Sequence, residues 1–140
     1  MRAVTAQITG RRYHRVPLAP LSRLELILEP TNEVDREAVA LYADDRCAGY
    51  LEAGLASIVR RLILRGRPVL VAPTRDPDEV LIYLPERGDA YGATLLPVAS
   101  SDGQRRYWVD RRRGLCTCPA GRWHSCRHRR SAGVLPAKAT

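Results

Sequence analysis

Three cysteines and a histidine crowd one short stretch of this chain: Cys116, Cys118, Cys126 and His128, spaced as C-x-C, seven residues, then C-x-H. Thiolate and imidazole are donors that Zn²⁺ accepts in a tetrahedron with bonds of about 2.0 to 2.3 Å. One residue between Cys116 and Cys118 suits an extended strand, where positions i and i+2 face the same side. Cys126 and His128 would then open a short turn or helix. The pattern predicts one structural Zn²⁺ on these four ligands. Four protein donors close the coordination sphere to a reactive water, and the glutamate that a deaminase-type site needs beside its first ligand is missing. His124 offers a competing ligand two residues before Cys126. Disulfides, the other use of such cysteines, require oxidising surroundings. Cys47, the remaining cysteine, lies in a strand-like stretch and reads as a buried thiol.

Arginines surround this cluster: Arg105, Arg106, Arg111, Arg112, Arg113, Arg122, Arg127, Arg129 and Arg130, with Tyr107, Trp108 and Trp123 among them. Guanidinium forks phosphate, and interleaved rings offer stacking to unpaired bases. Of 140 residues, 23 are Lys or Arg and 15 Asp or Glu, a formal charge of +8. Residues 1 to 100 balance 13 Arg against 13 acidic side chains, so the whole excess lies in the last forty. Nucleic-acid contact is the expected use of that charge; solubility and an acidic protein partner are the alternatives.

Other chemistries find no support. No apolar run approaches the roughly 18 to 20 residues of a membrane span, and Met1 to Gly10 alternates apolar with polar residues instead of forming a secretory signal. The expected location is the cytoplasm, with association to the nucleoid. No Walker loop, Ser-His-Asp order or paired-carboxylate site is visible, so neither hydrolysis nor a small-molecule substrate is expected.

The elements that must position these residues read as α+β, mainly β. Val4, Ala6 and Ile8, and again Leu24, Leu26 and Leu28, recur every second position, as half-buried strands do. From Ala38 to Leu51 the pattern is strand, turn at Asp44–Asp45–Arg46, strand. Gly54 to Arg65 changes period: Leu55, Ile58, Val59, Leu62 and Ile63 predict an amphipathic helix stopped at Gly66, with Arg60, Arg61 and Arg65 outward. Strands are expected at Pro68 to Ala72 and Glu79 to Pro85. The predicted organisation is a small antiparallel β-barrel with a helix at 1–86, a linker at 87–103 whose apolar patch at Leu95 to Val98 allows one docked strand, a ββα zinc module at 104–133, and a disordered tail at 134–140.

Arg106 to His128, RYWVDRRRGLCTCPAGRWHSCRH, resembles the SWIM zinc finger in its aromatic strand, its C-x-C followed by Pro119, and its C-x-H entering a helix. The resemblance implies a recognition module for DNA or protein. The N-terminal part resembles the HIRAN domain over about residues 3 to 85. It carries Gly10 before Arg12 and Tyr13, the run Glu29-Pro30-x-Asn32-x-x-Asp35-x-x-Ala38-Val39, and Gly49-Tyr50-Leu51 before the helix. That resemblance implies an OB-like barrel that binds DNA and captures the 3′-hydroxyl end of a single strand. Carried over, Arg12 and Tyr13 would contact the terminal nucleotide, Asp35 would accept its hydroxyl, and Tyr50 would line the pocket. The chain departs from the family at Val34, where an aromatic residue is common, and at Glu52 and Ala53, where a basic residue is common. From the residues alone, Asn32 and Asp35 serve equally well as turn formers, and Tyr13 and Tyr50 as core-edge rings.

The two resemblances together imply a DNA-binding protein of repair, replication or mobile-element processing, acting on single-stranded DNA, ends or junctions. The alternative is an adaptor whose finger recruits a helicase-like ATPase, nuclease or recombinase.

Overall fold

A computed structural model describes residues 1–18, 23–67, 69–118 and 126–133. The expected tail, and with it Arg122, Trp123 and His124, falls outside the described residues. The chain divides into two compact units, Arg2–Pro85 and Met1 with Glu86–Thr140. No helix among the described residues is long and apolar enough to cross a membrane.

The first unit contains β1 (Arg2–Thr9), β2 (Leu24–Leu28), β3 (Val39–Ala43), β4 (Arg46–Leu51), α1 (Ala53–Leu64), β5 (Leu70–Pro73) and β6 (Glu79–Leu84). Its sheet runs β2-β3-β4-β1-β6-β5 with every neighbouring pair antiparallel. The edge strands β2 and β5 touch, so the sheet curls into a nearly closed barrel. Strand β1 makes this closure possible by serving two partners: Arg2 to Gln7 pair with β6, while Ile8 and Thr9 pair with β4. Alternation sends Ala6, Ile8, Leu41, Val80, Ile82 and Leu84 into one core with Val39 and Leu51.

Two local features shape the barrel near the candidate site. The β3–β4 turn places Asp44 and Asp45 at φ 50° and 66°, the left-handed pair that a two-residue type I′ hairpin demands. Further along, the pairing shifts from Leu41 opposite Gly49 to Tyr42 opposite Cys47, leaving Ala48 as an extra residue in a bulge. Gly49, at φ 148°, is required there: a Cβ would lie 2.5 Å from both Ile8 Cγ2 and the Thr9 carbonyl oxygen. Cys47 is half-buried, with its thiol 3.8 Å from the Gly49 carbonyl.

Helix α1 buries Ala56 and Val59 against the sheet. Ile58, expected on the apolar face, is 39% exposed. The buried stripe is centred between Ala56, Val59 and Ile63, which turns position 58 toward its edge. Gly66, at φ 72°, closes the helix by donating its amide to Ile63 O, and the Arg67 amide reaches Leu62 O.

The second unit is a three-stranded antiparallel sheet, β7 (Leu95–Ala99), β8 (Arg106–Asp110) and β9 (Leu115–Cys116), followed by helix α2 (Arg127–Ser131). The segment expected as a linker carries the one strand its apolar patch allowed. Residues 95–99 pair with β8 across five positions and belong to this unit, so the ββα module gains a third strand. The physical reason is the apolar run Leu95 to Val98, which needs a sheet to cover it. Leu95 is fully buried, and Val98 packs against Val109 and the cysteines.

Candidate metal centre and nucleic-acid interface

Cys116 ends β9, Cys118 follows it, Cys126 is the N-cap of α2, and His128 lies in its first turn. Their donor atoms all lie within 4.8 Å of one another, and all four side chains are buried. A tetrahedral ion with bonds of about 2.0 to 2.3 Å spaces its donors by roughly 3.3 to 3.8 Å, so the cluster needs only a small contraction. Both ring nitrogens of His128 are buried without a hydrogen-bond partner among the described residues, although a buried imidazole ordinarily satisfies at least one of them. The Cys116 thiol is pushed up, first by its hydrogen bond with Cys118 and then by burial. A dication among the sulfurs reverses that preference by stabilising thiolate.

The neighbouring groups fit the same role. The Cys118 amide donates to Cys116 Sγ at 3.5 Å. The Tyr107 ring covers His128, with centroids 5.0 Å apart. Among the described residues, the buried apolar side chains of this cluster are Val109 and the three cysteines, so a metal supplies what apolar area does not. These four residues would hold the ion, and its contribution there is cross-linking.

The arginines around this centre sort into two groups. Asp89 accepts from Arg112 at 2.9 Å, and Glu86 pairs with Arg113. The same two carboxylates, with Asp110, converge on the Met1 α-amino group at 3.3, 2.5 and 3.0 Å from Glu86, Asp89 and Asp110 respectively. Burial works against the Asp89 charge, but hydrogen bonds from the Glu86 amide and the Met1 ammonium hold its carboxyl below the usual range. Arg129 donates to the Gly114 carbonyl at 2.6 Å. Arg112, Arg113 and Arg129 therefore brace the unit, which their sequence positions did not reveal. Arg106, Arg111, Arg127 and Arg130 remain exposed or nearly so, with no ion pair among the described residues. Trp108 is half-buried on β8.

In the first unit, the loops that carry Arg12, Tyr13 and Asp35 leave the strands on either side of Tyr50. Strand pairing explains why: Tyr50 sits opposite Thr9 of β1 and Ala40 of β3, so the loop leaving β1 and the loop entering β3 flank it. In the first loop, the Tyr13 and His14 amides both donate to Gly10 O, and the His14 ring meets Tyr50 edge-on at 5.7 Å. Arg12 and Tyr13 point to solvent, with Tyr13 81% exposed. Arg11 does the opposite. Its Nη1 donates to Val16 O at 2.7 Å and to Ala48 O at 2.9 Å, and its Nε lies 3.5 Å from Asp78. Sequence reasoning missed Arg11 because the basic residues in Arg11-Arg12-Tyr13-His14-Arg15 are chemically alike, and only the fold separates anchor from exposed group.

The second loop is held by its own side chains. Asn32 Nδ2 donates to Glu29 Oε1 at 3.1 Å, and Asn32 Oδ1 accepts from the amides of Val34 and Asp35. Asp35 Oδ1 accepts from the Glu37 amide at 2.9 Å. The Glu-x-x-Asn-x-x-Asp spacing is thus a relay of turn caps, and one Asp35 oxygen is committed to it. Val34 is 97% exposed. Burial, then the hydrogen bond with Glu29, pushes the Tyr50 hydroxyl up, so it stays protonated and ties β4 to this loop.

No protein-family model matches the sequence, and no curated protein does. Among solved structures, the chain is similar to the crystal structure of the HIRAN domain of human HLTF, with a TM-score of 0.51 at 14% identity, covering 57% of this chain and 72% of that one. At that identity the likeness is one of fold: a mainly β, barrel-like sheet with few helices.

Proposed function

We propose that this chain is a non-enzymatic, zinc-containing DNA-binding protein that recognises single-stranded DNA, DNA ends or junctions in repair, replication or mobile-element processing. The observation that carries the reading is the exposed Arg12–Tyr13 pair on a loop pinned by Arg11 beside Tyr50. A guanidinium and a ring so held give a phosphate contact and a stacking surface without the cost of ordering the loop on binding. The HIRAN-like fold supports a nucleic-acid ligand. The cationic second unit, read as a SWIM-type finger around Zn²⁺, adds long-range attraction.

Asp35 suits a free 3′-hydroxyl better than a 3′-phosphate, since a carboxylate accepts a hydrogen bond from one and repels the other. On this reading the protein works in the cytoplasm, at the nucleoid, with a helicase-like ATPase or nuclease as its enzymatic partner.

Fluorescence anisotropy of the zinc-loaded chain with oligonucleotides bearing a free or a phosphorylated 3′ end tests this. Affinity should fall with rising salt at a log-log slope of about −0.7 per phosphate contacted. The free end should bind more tightly. Equal affinity for both ends removes end capture and leaves general binding. No binding to any single-stranded or junction DNA at about 50 mM salt removes the DNA reading in favour of a protein-recruiting adaptor.

A further inference from the structure

Strand β8 has two faces, and the metal cluster uses one. Tyr107 and Val109 pack toward the cysteines and His128, so alternation puts Arg106 and Trp108 on the other side. Register sets Pro97 opposite Trp108 and Ala99 opposite Arg106, so the adjacent strand presents small, exposed side chains beside the ring. Tyr91, 37% exposed, meets Trp108 edge to face, with centroids 5.3 Å apart and planes at 82°.

The backbone beneath both rings is fixed. The Trp108 amide donates to Thr117 Oγ1 at 3.0 Å, and its carbonyl accepts from the Thr117 amide at 3.1 Å. The turn carrying Tyr91 is closed by the amides of Thr94 and Leu95 donating to Ala90 O. Fixed rings lose little entropy on binding, and an apolar occupant alone would leave Arg106 unused.

Charge selects the occupant. The second unit holds eleven Lys and Arg against four acidic residues, and three of those four, Glu86, Asp89 and Asp110, are engaged with the Met1 ammonium, Arg112 or Arg113. The field around the rings is cationic, and the ligand that combines anionic charge with flat apolar faces is an unpaired nucleotide.

We infer that Tyr91 and Trp108, flanked by Arg106, form a platform on which a base of single-stranded nucleic acid stacks while its phosphate meets the guanidinium. This site rests on the nucleic-acid reading above and assigns the second unit a base-contacting role in addition to attraction.

The test measures dissociation constants of the zinc-loaded chain for an oligothymidine and for a strand of the same length made of abasic sites. Stacking of one base is expected to favour the oligothymidine by about 5- to 150-fold. That ratio should fall in Tyr91→Ala and in Trp108→Ala, leaving only the share that Tyr13 supplies, and recover in Trp108→Phe. Zinc content of one per chain and an unchanged melting temperature show that each variant folds, and Tyr91→Ala, on an exposed turn, carries the test if Trp108→Ala does not. A base-to-abasic ratio unchanged in Tyr91→Ala or in a folded Trp108→Ala overturns the platform. The DNA reading survives that outcome if Arg12→Ala still weakens binding. Failure of the unmodified chain to bind either strand overturns both.

Discussion

Replacing Arg11 by methionine isolates what one guanidinium does for the first unit, because methionine keeps the apolar stem and removes the donors. The side chain is 16% exposed and gives two short hydrogen bonds, to Val16 O and to Ala48 O on the bulge. Its third contact, to His14 O at 3.4 Å, is too long to count for much. The ion pair with Asp78 is weak as well, since that carboxylate is 60% exposed.

Hydrogen bonds from a charged donor contribute about 1.5 to 3 kcal/mol each, and methionine gives up about as much side-chain entropy on burial as arginine does, so none is recovered. Arg11→Met should therefore cost about 3 to 6 kcal/mol. For a unit of this size, at about 4 to 8 °C per kcal/mol, that is a drop in melting temperature of at least about 12 °C. Arg12→Met, at an exposed position, should change stability by less than about 0.5 kcal/mol while weakening oligonucleotide binding. Calorimetry and anisotropy on the same two variants separate anchor from contact. If Arg11→Met melts with the parent chain, or if Arg12→Met melts as low as Arg11→Met, the division of labour drawn here is refuted.

Gly49→Ala should cost more than about 3 kcal/mol, since its Cβ would meet the Thr9 carbonyl where β1 and β4 join; a soluble variant with parental denaturant midpoint would contradict that geometry. Cys118→Ala should abolish stoichiometric zinc and unfold the second unit while the barrel keeps its own cooperative transition, read by metal analysis and amide hydrogen exchange; retention of one zinc per chain would exclude this ligand set.

Much of this protein is legible in its sequence. Alternating apolar residues locate β1 and β2, the Asp44–Asp45 pair marks a hairpin, and the change of period ending at Gly66 marks α1, because each signal depends on nearest neighbours along the chain. The C-x-C and C-x-H pairs name a metal centre for the same reason: short spacing alone fixes which donors can converge.

What the sequence leaves open is decided by contacts distant along the chain. Leu95 to Val98 allows a docked strand but does not name its partner, which the pairing with β8 supplies. Arg11 differs from Arg12, and Arg112 and Arg113 from Arg106, only in whether carbonyls and carboxylates from remote segments meet their guanidinium groups. Residue type sets what a side chain is able to bond. The barrel and the sheet determine which partners reach it, and so which arginines and rings are left for a ligand.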